Sequence, residues 1–339
     1  MNWRGTPVLV TGGASFIGSH LVDALVKKGV RVRVVDDLSS GKQENISKHL
    51  QKKRIEFIKD DLSKSQVARR AVKNISCIFH LAAIHGGRGF VDMHQADCTK
   101  NLLLDTLLIQ EAYKAGAEKI IFASSGCIYP KYLQKNPKEI LYLKEEMMGP
   151  PYDPDNTYGW AKLTTELTLR AYAKDFKMKS ASCRFFTVYG ERSLENHAVL
   201  GLIAKAFIRQ NPYEVWGDGN QIRNWTHVSD IVLGIILAAE KISDGSAVNL
   251  GTTERVRVKD AVKQIFDYTG FHPRVVYKTK MPTGPLNRVA DNRLAEKVLG
   301  WQPKVKFKEG LKQTIGWYFS VKDKKEVEKS LDRLLIERK

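Results

Sequence analysis

The chain has 339 residues, a formal charge of +18, 43% hydrophobic and 27% charged residues. That length allows a large core divided into two lobes, and the composition is ordinary for a globular protein. No run approaches the ~20 apolar residues of a membrane span, and no charged region followed by an apolar signal core opens the chain, so a cytoplasmic protein with no membrane partner is expected.

The Lys and Arg residues are dispersed, and the stretch Val321 to Lys339 alternates Lys with Glu and Asp as a solvated helix does. Nucleic acid is therefore not the expected main partner. A diphosphate-bearing substrate also benefits from a positive cleft, so charge alone does not discriminate. The four cysteines, Cys77, Cys98, Cys127 and Cys183, lack metal-ligand spacing. Most are expected to be buried reduced thiols, and no metal site is expected.

In chain order, an apolar strand, Val8 to Val10, runs into Thr11-Gly12-Gly13-Ala14-Ser15-Phe16-Ile17-Gly18 and a helix pattern through Leu21, Leu25 and Val26. A glycine-rich turn between a buried strand and a helix lets the backbone approach a pyrophosphate at the positive end of the helix dipole. A second strand, Val32 to Val35, ends in Asp36 and Asp37. A carboxylate there accepts hydrogen bonds from the adenosine ribose hydroxyls and repels a 2'-phosphate, which favours NAD over NADP.

Strands near residues 7–11, 31–36, 54–58, 76–80, 118–123 and 179–185 alternate with helices. This predicts an α/β fold with a Rossmann-type, doubly wound parallel sheet and ligands at the strands' carboxyl ends. Residues 132–157, with Gly149-Pro150-Pro151 and Asp153-Pro154, read as a long surface loop. After Gly190 the alternation weakens into short strands, a helix from His197 to Arg209 and C-terminal helices.

Two segments carry the chemistry: Ser124-Ser125-Gly126-Cys127-Ile128-Tyr129-Pro130, and Tyr158-Gly159-Trp160-Ala161-Lys162. Residues four apart share a helix face, so the Tyr158 phenol and the Lys162 ammonium can serve one site. A nearby cation is expected to lower the phenol pKa from ~10, so that it can take a proton from an alcohol.

Together with Asp61-Leu62, Phe79-His80-Leu81-Ala82-Ala83, Arg184 to Gly190, Trp216 to Gly219, Arg223 to Asp230, Asn249 to Gly251 and Leu299 to Pro303, these motifs resemble an extended short-chain dehydrogenase/reductase acting on nucleotide-diphosphate sugars. The resemblance covers nearly the whole chain. It implies an NAD-binding domain of residues 1–186 with 221–252, a smaller α/β substrate lobe of 187–220 with 253–339, and a homodimer paired through helices near 95–115 and 158–173. One departure is Ser15, where the family has the middle glycine of the turn.

The resemblance implies that Gly12, Ser15, Phe16, Ile17, Gly18, Asp36, Asp37, Leu38, Asp61, Leu62, Leu81, Ala82, Ala83, Ser124 and Phe185 hold NAD with Tyr158 and Lys162. It implies that Ser125 holds the substrate hydroxyl and that Tyr158 removes the sugar C4 proton. It further implies that Gly87, Arg88, Thr187, Asn196 and Trp216 line the substrate pocket and that Arg223 and Arg288 bind the diphosphate.

Related dehydratases carry glutamate at the position of Cys127. Ser-Ser-x-Cys-Ile-Tyr-Pro is instead similar to GDP-mannose 3,5-epimerase, and Ser-Ser-Cys-Ile-Tyr-Pro is similar to GDP-fucose synthase, in which the cysteine moves a proton beside a C4 ketone. His197 matches the fucose synthase histidine as a second acid. The lysine of the 3,5-epimerase has no obvious equivalent in Glu191-Arg192-Ser193. The implied activity is a nucleotide-sugar epimerase working at C3, C5 or both through a transient 4-keto sugar. Alternatives are a C4 epimerase, a dehydratase, and an NAD-sensing or nucleic-acid-associated binding protein.

Overall fold

The computed structural model describes residues 3–338. Six strands, β1 (Pro7–Thr11), β2 (Arg31–Val35), β3 (Ile55–Ile58), β4 (Cys77–His80), β5 (Lys119–Ser125) and β6 (Lys179–Phe185), are joined by a seventh, Ala247–Leu250. The sheet order runs Ala247–Leu250, β6, β5, β4, β1, β2, β3, and every pairing is parallel. The strands are short β-branched and apolar runs because both faces are covered. Val8, Val10, Val34 and Phe79 pack one face beside Ile231 and Ile235, while Leu9, Ile78, Ile120 and Phe122 pack the other beside Leu104 and Leu108. This is the expected Rossmann-type sheet, and the strand order reverses between β1 and β4, where such sheets bind ligands.

A second core gathers Tyr213, Trp225, Phe266, Phe307 and Tyr318 around the helix Ala198–Phe207. The stretch 221–252, expected to rejoin the large sheet, is divided. Ala247–Leu250 extends that sheet, whereas Ile222–Arg223 pairs with Val256–Arg257 and Asn287–Arg288 in a separate three-stranded sheet. The two-residue strand is too short to read from periodicity.

The final helix, Lys324–Ile336, is not solvated all round as the charge alternation suggested. Val327 and Leu331 are buried in the second core. No helix among the described residues is long and apolar enough to cross a membrane.

Candidate active site

The turn after β1 is fixed by a chain of buried polar groups. The Thr11 hydroxyl accepts from the backbone N–H groups of Leu81 (3.1 Å) and Ala82 (3.0 Å), which uses both lone pairs, so its proton goes to His80 Nδ1 at 2.8 Å. His80 therefore carries its proton on Nε2 and donates to Asp105 Oδ1 at 3.0 Å, and Thr165 donates to Asp105 Oδ2 at 2.8 Å. Gly12 has φ +68°, and a Cβ there would lie 2.9 Å from Ala82 N, so glycine is required where β1 and β4 converge.

Above this turn lies a small cleft lined by Gly12, Ser15, Asp36, Asp37, Asp61, Leu62, Leu81, Ala82 and Ala83. Ser15 stands at the helix N-cap and turns its hydroxyl inward to donate to Gly12 O at 2.5 Å. Asp36 accepts from Ala14 N (3.0 Å) and Leu38 N (2.9 Å), and burial pushes its carboxyl up despite these bonds. Asp37 is exposed and accepts from Ser39 N at 2.8 Å.

Gly18 and Leu38 line neither this cleft nor the larger one beside it. Gly18 serves packing, since a Cβ would meet Gly12 O at 2.1 Å, and Leu38 makes the turn after Asp36 at φ +60°. The Ser124 hydroxyl is committed to the buried Glu166, which also takes two hydrogen bonds from Arg184, so this residue has its backbone rather than its hydroxyl to offer a cofactor.

The adjoining cleft, of about 380 Å³, is lined by Ser15, Phe16, Ile17, Leu81, Ala83, Ser124, Phe185, Ser125, Cys127, Tyr158, Lys162 and His197, together with Gly87, Arg88, Thr187, Asn196, Trp216, Arg223 and Arg288. Every catalytic and substrate-binding residue expected from the sequence thus faces one space. β5 delivers Ser125, which accepts from Cys127 N at 3.1 Å as cap of the turn Gly126–Ile128 and lines the cleft with Tyr158. The helix Asn156–Phe176 brings Tyr158 and Lys162, and Gly159 lets it approach, since a Cβ there would lie 2.5 Å from Cys127 O.

The electrostatics differ from the expectation. Burial, then the nearby Cys127 and Asp105, pushes the Tyr158 phenol well above its ordinary value. Lys162, 1% exposed, is itself pushed down by burial, with the Asp105 carboxylate pulling the other way. Burial opposes ionisation of Asp105, but Lys162 and the His80 hydrogen bond outweigh it and hold the carboxyl below the usual range. The lysine's charge is thus balanced by a carboxylate invisible in the Tyr-x-x-x-Lys spacing.

Lys162 Nζ is buried without a hydrogen-bond partner, 4.4 Å from the Phe122 ring centre. An unpaired ammonium at the cleft floor, beside a glycine turn that no side chain could enter, fits a dinucleotide whose ribose hydroxyls complete the lysine's bonds.

Asn287–Arg288 pairs in parallel with Ile222–Arg223, setting Arg288 directly beside Arg223. Burial, then the Arg288 and Arg88 charges, pushes Arg223 down to about 9. Asp155, missed in the sequence, ties Arg88 (2.6 Å) and Arg288 (3.0 Å) together and is held low by both against burial. Asp92 also takes two hydrogen bonds from Arg88, at 2.7 and 2.6 Å, so three guanidiniums stand against two carboxylates and leave a net positive wall suited to a diphosphate.

His85, in the run Ile84 to Phe90 whose resemblance to the same families puts it at the sugar pocket, does line this cleft, with its ring centre 4.6 Å from Tyr158 and 5.7 Å from His197, and burial pushes it well below its ordinary value. Burial likewise pushes His197 down to about 4. Asn196 spends its Nδ2 on Glu337 O (2.7 Å), while its Oδ1 is buried without a partner.

Known proteins agree with this architecture. The description NAD dependent epimerase/dehydratase family matches residues 8–251. The Bacillus subtilis (strain 168) protein named uncharacterized UDP-glucose epimerase YtcB is 33% identical over 93% of this chain and 98% of its own. GDP-mannose 3,5-epimerase 1 of Oryza sativa subsp. indica is 29% identical over 95% of this chain and 83% of its own. The crystal structure of UDP-glucose 4-epimerase with UDP-glucose from Thermotoga maritima superposes with a TM-score of 0.83 at 30% identity, covering 93% of this chain and 99% of that one. The chain belongs to the NAD dependent epimerase/dehydratase family, as an extended short-chain dehydrogenase/reductase whose cofactor is NAD.

Proposed function

We propose that the protein is a nucleotide-diphosphate-sugar epimerase that oxidises the sugar at C4, exchanges a proton at C3, C5 or both through Cys127, and then reduces C4 again. The observation carrying this reading is that the Cys127 sulfur lines the same cleft as Tyr158 and Lys162 and lies 3.2 Å from Arg288 Nη1. Bound NAD supplies the hydride acceptor and donor. Tyr158 takes the C4 hydroxyl proton, Ser125 holds that hydroxyl, and Lys162 holds the cofactor ribose. A C4 carbonyl acidifies the neighbouring C–H bonds, and a cysteine thiolate beside them can take such a proton and return it. Arg223 and Arg288 face the substrate diphosphate.

Large apolar side chains support a homodimer through the helices Gln95–Lys114 and Asn156–Phe176: Leu102 (40%), Leu103 (60%), Trp160 (47%) and Phe176 (50%) are exposed there. The likeness to the Thermotoga 4-epimerase favours a second reading, direct C4 inversion with Cys127 as a bystander.

Turnover of a panel of nucleotide sugars in heavy water, read by mass spectrometry, separates the two. Deuterium at C3 or C5 supports the Cys127 reading. C4 inversion without label sinks it.

A further inference from the structure

The final helix carries the chain from the small lobe across the mouth of the cofactor cleft. Leu335 packs so closely on Gly201 that a Cβ at that glycine would lie 2.8 Å from its side chain, and Ile336 packs on Gly89 with a corresponding 3.1 Å. The Glu337 carbonyl accepts from Asn196 Nδ2 at 2.7 Å, and its carboxylate lies 3.3 Å from His94 Nε2. These contacts anchor the strap both to the helix Ala198–Phe207 of the small lobe and to the helix Arg88–Met93 of the large one.

Arg338 then enters the small cleft that Gly12, Ser15 and Asp36 line. Its Nη2 reaches Ser39 Oγ (3.1 Å), Ser40 Oγ (3.3 Å) and Ala83 O (3.2 Å), three acceptors for two protons. Its Nε is buried with no partner. The guanidinium is half-buried, and although the Asp36 and Asp37 carboxylates line the same cleft, none of its hydrogen bonds goes to a carboxylate, so donors remain for an anion that enters. The adjacent Gly12–Ser15 turn is where the helix N-terminus receives a diphosphate. The planar fork of arginine matches phosphate oxygens, which neither serine hydroxyls nor a peptide carbonyl use fully.

We propose that Arg338 is a cofactor-positioning residue: the strap holds its guanidinium toward the NAD diphosphate, and this contact slows NAD release. Such a contact is separate from the sugar chemistry and stands whichever carbon is inverted. A recycled cofactor benefits from this retention because it has no need to leave between turnovers.

The test uses the full chain with Arg338→Ala and Arg338→Lys, and a variant ending after Ile336. NAD, ADP-ribose and adenosine binding are measured by calorimetry at low and high salt, and NAD carried through purification is quantified by extraction. Arg338→Ala is expected to weaken NAD and ADP-ribose about 10-fold or more, the size of one charge-assisted hydrogen bond, and to leave adenosine unchanged. Arg338→Lys should fall between, the parent's extra affinity should shrink with salt, and cofactor-free melting should match the parent. Equal or tighter NAD binding by Arg338→Ala overturns the proposal, tighter binding meaning that the side chain plugs the cleft. Equal weakening of adenosine overturns it too, because the contact would then not be to the diphosphate.

Discussion

Arg288 Nη1 donates to Cys127 Sγ at 3.2 Å while the same guanidinium reaches Asp155 Oδ2 through Nη2 at 3.0 Å and Gln134 Oε1 through Nε at 2.8 Å. The arginine is thus pinned on two sides, and the sulfur sits beside a fixed positive charge. A side chain expected from sequence only as a phosphate ligand also orients the candidate base. Cys127→Ser is expected to cut solvent deuterium incorporation at C3 or C5 by about 100-fold or more, the usual weight of a positioned acid–base group, while the 4-keto sugar is still trapped by borohydride. An unchanged exchange rate would return Cys127 to the status of a packing residue.

The counter-charge of Lys162 yields a pH prediction. Asp105→Asn leaves a buried ammonium uncompensated, so the lysine pKa falls further and its charge is lost at lower pH. The alkaline limb of kcat/KM should move toward acid relative to the parent, and urea unfolding should show a loss of about 1–3 kcal/mol, the usual cost of leaving a buried polar group unsatisfied, because an amide offers one oxygen where the carboxylate accepts from His80 and Thr165 through two. Because the Asp105 carboxyl is held low in the fold, its contribution to stability is present above the unfolded value of ~4 and fades as pH falls through the lower folded value. The variant should lack that fade.

Binding and chemistry should separate at Arg223. This guanidinium donates to Thr283 O at 2.6 Å and to Ile222 O at 2.8 Å and faces the cleft, with no carboxylate within hydrogen-bonding distance among the described residues. Arg223→Met is expected to raise KM for the nucleotide sugar roughly 10- to 100-fold, the size of one or two charge-assisted hydrogen bonds, with kcat changed far less. The nucleoside diphosphate should lose affinity as an inhibitor in parallel. A kcat loss with KM unchanged would place Arg223 in the chemistry instead.

The sheet was legible because each strand of the large domain is a short apolar run ending at a turn with its own chemistry, such as Thr11-Gly12 or Ser125-Gly126. Tyr158 and Lys162 were legible from helix spacing. The sign of the phenol shift was not, because burial, then Cys127 and the carboxylate of Asp105, 53 positions away, push it up. Asp105 reads locally as one polar residue among Leu102, Leu103 and Leu104. Asp155 and Arg338 acquire meaning only through partners 133 and 299 positions distant, which no periodicity encodes.

The apolar faces of the two long helices predict the oligomeric state. Leu103→Glu with Trp160→Glu places charge where a second copy would bury those side chains, so light scattering should show a dimer for the parent and a monomer for the double variant. Monomer mass for the parent at micromolar concentration would leave these faces without the proposed partner.

His197 sits against His85 and Phe16, with ring centres at 5.7 and 6.3 Å, and burial pushes it down to about 4 from an unfolded value near ~6.5. The fold therefore prefers the neutral ring. Stability tied to it is complete above the unfolded pKa and is lost as pH falls from there through the folded value. Urea midpoints between pH 7.5 and 4.5, a window of about that span, should drop less steeply for His197→Asn than for the parent, with His85 retaining part of the slope in both. A ring neutral at pH 7 has one N–H to give and no spare proton, so it works as a hydrogen-bond donor or base rather than as a charged acid. The parent's kcat/KM should accordingly show no inflection near ~6.5 that His197→Asn removes. An inflection there that disappears in the variant would mean that substrate binding recharges the imidazole, and the role of second acid would be restored.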